Sequence, residues 1–286
     1  FCAMKHVGLN VAADPMFTTS YTGVNGGMVI GVADDQGMHS SQNEQDSRHY
    51  AIAAKLPMVE PSDSQECVDY LKAAYEISEA YDTPALLRLS TRISHSQSLV
   101  EPKPRTEVPL KDYQKNPQKY VMMPAYAKVR HVFVEERTLR LRELAETTPL
   151  NRVEPGTDRR IGIITAGICY QYVKEAMPDA PVLKLGLLNP LPTQLIRDFA
   201  ATVDRVVVVE ELDPVIETHC ATIGVPAEGK AIFGYIGEIS QNIIREKLLG
   251  LAPLPSPAYP DAVPARPPVL CPGCPHRGVF YTRAKM

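Results

Sequence analysis

The densest run of chemically capable side chains in this 286-residue sequence is Asp34 to Tyr50. It carries His39, Asn43, Asp46, Arg48 and His49 among serines and glutamines. Serine, histidine and aspartate together bring a catalytic triad to mind, but a triad is an arrangement in space that contiguity does not supply. Arg48 offers a permanent charge on a planar fork of N–H groups, suited to gripping a carboxylate at two points. The bland reading of the same run is a solvated surface loop. Smaller groups lie elsewhere: Lys5-His6 with Asn10, Arg92 with His95, and Glu210-Glu211 with Asp213, each more simply read as structural, the last as a solvated strand end. The sharpest pair is Cys271-x-x-Cys274 followed by His276. Two thiolates on a Pro-Gly turn suit zinc or an iron–sulfur cluster, yet one pair is half of a four-ligand site, so a metal-free pair stays open. Ala166-Gly167 stands at a strand-to-helix turn, where a helix N-terminus can cradle phosphate. With no G-x-G-x-x-G and no G-x-x-x-x-G-K-[ST] in the sequence, nucleotide binding is not indicated.

The elements that must hold these residues follow from hydrophobic patterning. Met28 to Ala33 is a continuous apolar run between Gly26-Gly27 and Asp34-Asp35, which predicts a strand buried on both faces, as in a parallel sheet. Its carboxyl end opens into the Asp34–Arg48 loop, the edge where open α/β sheets bind ligands. Asp63 with Glu66 predicts a capped helix start, and Cys67, Leu71, Ala74, Ile77 and Tyr81 continue it at helical spacing. Asp82-Thr83-Pro84 ends that helix, and Ala85–Leu89 is a second strand leading to Arg92 and His95.

Residues 101–158 read as a connector. Within it, Ala125 to Glu146 predicts one highly charged bridging helix with apolar Val129, Val132, Phe133, Leu139 and Leu144, its charged faces solvated. Residues 159–250 alternate strands (Arg160–Thr165, Pro181–Leu185, Arg205–Glu210, Ala231–Ile236) with helices, the pattern of a second parallel sheet. Seven prolines crowd the 251–270 linker, and 271–286 reads as the start of something further.

Composition bounds the class. Hydrophobic residues make up 44% and charged ones 22%, an ordinary globular balance with chain enough for two domains. Thirty basic against 33 acidic residues leave a formal charge of −3, which argues against a nucleic-acid-coating or polybasic membrane-surface protein. No apolar run approaches the ~20 residues of a membrane span. Cys2, Cys67, Cys169 and Cys220 sit singly in apolar surroundings, and no signal peptide is visible. Both features point to a reducing, cytoplasmic setting.

Several long phrases then carry a resemblance in consistent order: Met4-Lys5-His6-Val7-Gly8-Leu9-Asn10-Val11-Ala12-Ala13-Asp14-Pro15, Val32-Ala33-Asp34-Asp35, Gly37 through Arg48, Glu60-Pro61-Ser62-Asp63-Ser64, and Cys271-Pro272-Gly273-Cys274-Pro275-His276. Together they resemble the alpha subunits of indolepyruvate:ferredoxin oxidoreductases, within the thiamine-diphosphate-dependent 2-oxoacid:ferredoxin oxidoreductase family. Gln36 departs from the proline usual there.

The resemblance implies an α/β fold: a pyrimidine-binding-type domain over 1–100, a transketolase C-terminal-like domain over 159–250, and the opening of a diphosphate-binding domain from Cys271. It also implies oxidative decarboxylation of an aryl pyruvate on thiamine diphosphate with Mg²⁺. Electrons would pass through [4Fe–4S] clusters to ferredoxin, coenzyme A would take the acyl group, and a beta subunit would be the partner. By the same resemblance, Arg48, His39 and Asn43 would meet substrate. Lys5, His6, Asn10, Arg92 and His95 would meet cofactor, and Cys271 and Cys274 would be cluster ligands. The activating glutamate is expected before Phe1 and the diphosphate and Mg²⁺ motif after Met286, so this chain alone is expected to be inactive. A pyruvate-type oxidoreductase, or a non-catalytic assembly module with a zinc knuckle at Cys271, Cys274 and His276, are the competing readings.

Overall fold

The computed structural model describes residues 1–105, 107–255, 274 and 276–286. Ten short strands are formed among them: β1 (Cys2–Lys5), β2 (Val29–Ala33), β3 (Met58–Val59), β4 (Ala85–Leu89), β5 (Arg152–Glu154), β6 (Gly162–Ala166), β7 (Val182–Leu185), β8 (Leu187–Asn189), β9 (Val206–Val209) and β10 (Ala227–Glu228). They build two five-stranded sheets, ordered β1-β2-β4-β3-β8 and β10-β9-β6-β7-β5. All pairings are parallel except those of β8 and β5, each an antiparallel edge strand. Helices follow the parallel strands, so the α/β class read from the sequence is the class that folds.

Strand alternation divides the interior. Ile30, Val32 and Leu86 of the first sheet share one core with Ile164, Leu183 and Val208 of the second. The opposite faces, Val29, Ala85 and Leu87 in one sheet and Ile163, Val182 and Val207 in the other, bury against separate helix layers. Because side chains point alternately up and down a strand, a continuous apolar run feeds two cores at once. The chain from Phe1 to Pro253 forms one compact unit, in which β8, though late in sequence, completes the first sheet. Residues 254–286 form a second unit, whose described part contains the His276–Lys285 helix.

Two expectations are corrected. The charged helix runs Pro124–Thr147, as the spacing predicts, but it is docked rather than solvated all round. Its buried stripe is Val134, Arg137, Leu141 and Ala145, whereas Val129, Val132 and Leu139 face outward. An arginine holds the stripe's second position, so counting apolar residues alone selects the wrong face. The segment read as a strand at Ala231–Ile236 is instead a helical turn, Lys230–Phe233. The Glu217 carboxylate accepts from the Gly229 and Lys230 amides and Gly234 ends the turn, leaving β10 as the edge strand. No helix among the described residues is long and apolar enough to cross a membrane.

Candidate functional site

The carboxyl ends of β2, β3 and β4 in one sheet meet those of β6 and β9 in the other, and polar side chains gather there in three tiers. Innermost are two buried guanidiniums. Arg88 projects from β4 one residue before its carboxyl end; its Nε donates to Asp34 Oδ2 at 2.7 Å and its Nη1 to Glu60 Oε2 at 2.7 Å. Arg48 lies in the first turn of the Ser47–Ala54 helix, whose N-cap Asp46 accepts from the Arg48 amide. Its Nε donates to Asp46 at 2.9 Å and its Nη1 to Glu210 at 2.5 Å, while Nη2 reaches Asp46 and the Glu211 and Asp213 carbonyls.

Five buried carboxylates, Asp34, Asp46, Glu60, Glu210 and Glu211, thus surround two arginines. Their titration diverges. Burial opposes the charge on Asp46, but Arg48 and Arg88 outweigh it and hold the carboxyl well below the usual range. At Glu211 burial wins, assisted by Glu60 and Glu238 against Arg88, and the pKa is pushed up to about 7. Glu211 Oε1 and Arg88 Nη2 make no hydrogen bond among the described residues. Both residues border a cavity of about 10 Å³ shared with Glu60 and Cys169, near the ~10–15 Å³ that one water needs. Gly167 (φ +53°) opens the helix after β6, and a Cβ there would lie 2.1 Å from Glu60 Oε1. That helix start therefore faces the protein's own carboxylate.

The middle tier is centred on Asp35. Lys5 Nζ donates to Asp35 Oδ2 at 2.9 Å and to Ser40; Ser41 and Thr91 hydroxyls and the Ser40 amide also reach this carboxylate. These bonds overcome burial and hold its carboxyl below the ordinary value. His6 is fully buried and its Nε2 donates to the Asn43 carbonyl at 3.2 Å. Its Nδ1 makes no hydrogen bond among the described residues. Gln36 is likewise buried: Oε1 accepts from the Thr91 amide and Nε2 has no partner among the described residues.

The outer tier is a half-exposed rim. Arg92 lies in the Thr91–His95 helix after β4 and grips Glu238 through two nitrogens, at 2.8 and 2.5 Å; His39 Nε2 adds a contact of 2.9 Å.

The residues read from the sequence are accordingly distributed. Lys5, His6, His39, Arg48 and Arg92 lie in one or another tier. Asn43 contributes its carbonyl to His6 while its side chain accepts from Gln45. Asn10 and His95 are exposed and join no tier. Arg48 is 2% exposed and all three of its guanidinium nitrogens are bonded within the chain. Glu210 and Glu211, weighed above as a solvated strand end, are buried. Arg88, Glu60 and Glu238 were not singled out; an arginine inside an otherwise apolar strand was the available signal for the first. Cys271 lies outside the described residues, and Cys274 Sγ is 3.4 Å from His276 Nδ1. Burial pushes the Cys67 thiol up to about 11, Cys220 up to about 12, and Cys169 well above its ordinary value, which disfavours the thiolate a metal needs.

Comparison with known proteins bears on this edge. No protein-family model matches the chain. The indolepyruvate oxidoreductase subunit IorA of Methanothermobacter thermautotrophicus is 43% identical over 299 aligned residues, covering 98% of this chain and 48% of that protein. The chain is a relative of IorA. A second IorA, from Pyrococcus abyssi, is 40% identical over 311 residues, covering 99% of this chain and 48% of its own length. The chain thus spans about half the length of the curated relatives it matches. Among solved structures, the 2-oxoglutarate:ferredoxin oxidoreductase of Magnetococcus marinus, determined with 2-oxoglutarate, coenzyme A and succinyl-CoA bound, superposes with a TM-score of 0.68. That match covers 87% of this chain and 52% of the other at 15% identity, a likeness of fold.

Proposed function

We propose that this chain forms two α/β domains of a 2-oxoacid:ferredoxin oxidoreductase that acts on aryl pyruvates such as indolepyruvate. In this reading it works with a beta subunit, passes electrons to ferredoxin and transfers the acyl group to coenzyme A in the cytoplasm. The observation that carries the proposal is the similarity to IorA along nearly the whole chain, combined with a convergence of sheet edges suited to a polar, charged substrate.

Thiamine diphosphate, when bound, supplies the carbanion chemistry that decarboxylation of a 2-oxoacid demands. The chain fits part of it. The buried His6 Nδ1 and Gln36 Nε2, both without hydrogen bonds among the described residues, match the polar edge of a heterocycle. Asp34, Asp35 and Asp46 are held by Arg88, Lys5 and Arg48, so these carboxylates do not fit a diphosphate-bound Mg²⁺. Among the described residues no cysteine joins a group of three or more metal-ligating side chains, and burial favours the protonated thiol at Cys67, Cys169 and Cys220, so an iron–sulfur cluster does not fit these three. Within this frame Lys5 fixes the Asp35 loop that carries His39 and Asn43. Arg48 positions the same loop against the second sheet, and Arg92 and His39 stand at the rim.

A steady-state comparison of indolepyruvate, pyruvate and 2-oxoglutarate on the full-length subunit pair tests the substrate. The highest kcat/KM is expected for indolepyruvate, and a preference for pyruvate would move the chain to the pyruvate-type alternative.

A further inference from the structure

Three arginines stand at the carboxyl edge of the first sheet, and they differ in one respect. Arg48 and Arg88 are buried and bonded to carboxylates beneath them, whereas the Arg92 side chain keeps 52% of its surface exposed. Its fork is nevertheless filled. Glu238 places one carboxylate oxygen on Nε and the other on Nη2, with His39 Nε2 as a third contact. This is how an arginine and a histidine would hold the carboxylate of a ligand.

Glu238 comes from the second sheet's side, in the segment between the Lys230–Phe233 and Gln241–Leu249 helices. Gly234 (φ +77°) and Gly237 (φ +85°) break that segment, and a side chain at either would meet nothing within 4 Å. Between them Tyr235 is 61% and Ile236 98% exposed. Ile239 is buried in the core, so the segment is anchored immediately after Glu238, whereas before it Tyr235 meets Lys230 Nζ 5.8 Å from its ring and Ile236 is left to solvent.

We propose that Arg92 and His39 form a seat for the carboxylate of an apolar monocarboxylate, and that Glu238 holds this seat closed until the ligand displaces it. This deepens the reading above, since a 2-oxoacid carries such a group, and rests on it for the choice of ligand. A carboxylate replaces a carboxylate, so no charge is stranded at the rim, and the glycine-broken segment gives Glu238 room to withdraw. The apparent affinity of the seat is lowered by the fraction of time Glu238 occupies it.

The test is equilibrium binding on the 286-residue chain, with phenylacetate as a non-reacting probe followed by NMR titration. Glu238→Gln keeps the size but removes the competing charge and should tighten phenylacetate binding by about fivefold to tenfold. Adding Arg92→Gln should weaken it at least about tenfold again. In the unmodified chain, saturating phenylacetate should speed amide hydrogen exchange at 234–238, a readout that needs no variant. Affinity in Glu238→Gln within about twofold of the parent, or unchanged exchange at 234–238, would overturn the proposal. Stronger loop release by inorganic phosphate than by phenylacetate would assign the seat to phosphate and overturn it equally. Turnover plays no part in these readouts, so failure of the gate and failure of the oxidoreductase reading are told apart.

Discussion

Arg48 and Arg88 show what a buried charge costs when its partner is removed. Paired, the network contributes little net stability, because desolvation offsets attraction; deleting one guanidinium strands carboxylates that cannot reach water. Arg48→Gln should therefore lower unfolding free energy by about 3–5 kcal/mol in urea titrations, with Arg48→Lys recovering only part of it. A loss below about 1 kcal/mol would mean that Asp46 and Glu210 find other partners. Glu211 behaves in the opposite sense. Its folded pKa of about 7 exceeds the ordinary 4.5, so between these values the folded chain holds a proton that the unfolded chain has released. Its contribution is fully present below pH 4.5 and is lost as pH rises through 7, to a total of up to about 3 kcal/mol. Urea midpoints at about pH 5 and about pH 8 should show this fall in the parent and a flatter response in Glu211→Gln; equal slopes would contradict the assignment. Arg48 was legible in the sequence because it ends a polar run, whereas Glu60 and Glu238 were not. Their partners lie 28 and 146 residues away, and only the folded sheets bring them together.

At the scale of elements, the Pro124–Thr147 helix is held by a polar pin. Arg137 is fully buried; its Nη1 donates to the Ser20 and Asp82 carbonyls and its Nη2 to Ser20 Oγ, each at 3.0 Å. Arg137→Ala leaves those acceptors buried beside a cavity and should cost about 2–4 kcal/mol by thermal or urea unfolding. Val132→Ser or Leu139→Gln on the outer face should stay within about 0.5 kcal/mol. The reverse ranking would restore the solvated-helix expectation. Strand and helix existence followed from apolar runs and from the Asp63 cap, whose side chain does accept from the Glu66 amide. Lys230–Phe233 was misread because a short apolar run fits strand and helix alike, and the deciding Glu217 contacts come from a neighbouring element.

For the whole molecule, the two sheets share a core and turn their carboxyl ends toward one another, as an enzyme with a site between α/β layers requires. That convergence could be read from the alternation of strands and helices only as a class. The crossing of β8 into the first sheet rests on three residues and left no pattern to read. We propose that these edges serve a 2-oxoacid oxidoreductase. This is tested most directly by anaerobic reduction of ferredoxin by the full-length subunit pair with indolepyruvate, with metal content measured on the same preparation. Ferredoxin reduction that depends on thiamine diphosphate and coenzyme A is expected, together with iron and acid-labile sulfide. Stoichiometric zinc and no reduction by any 2-oxoacid would contradict it.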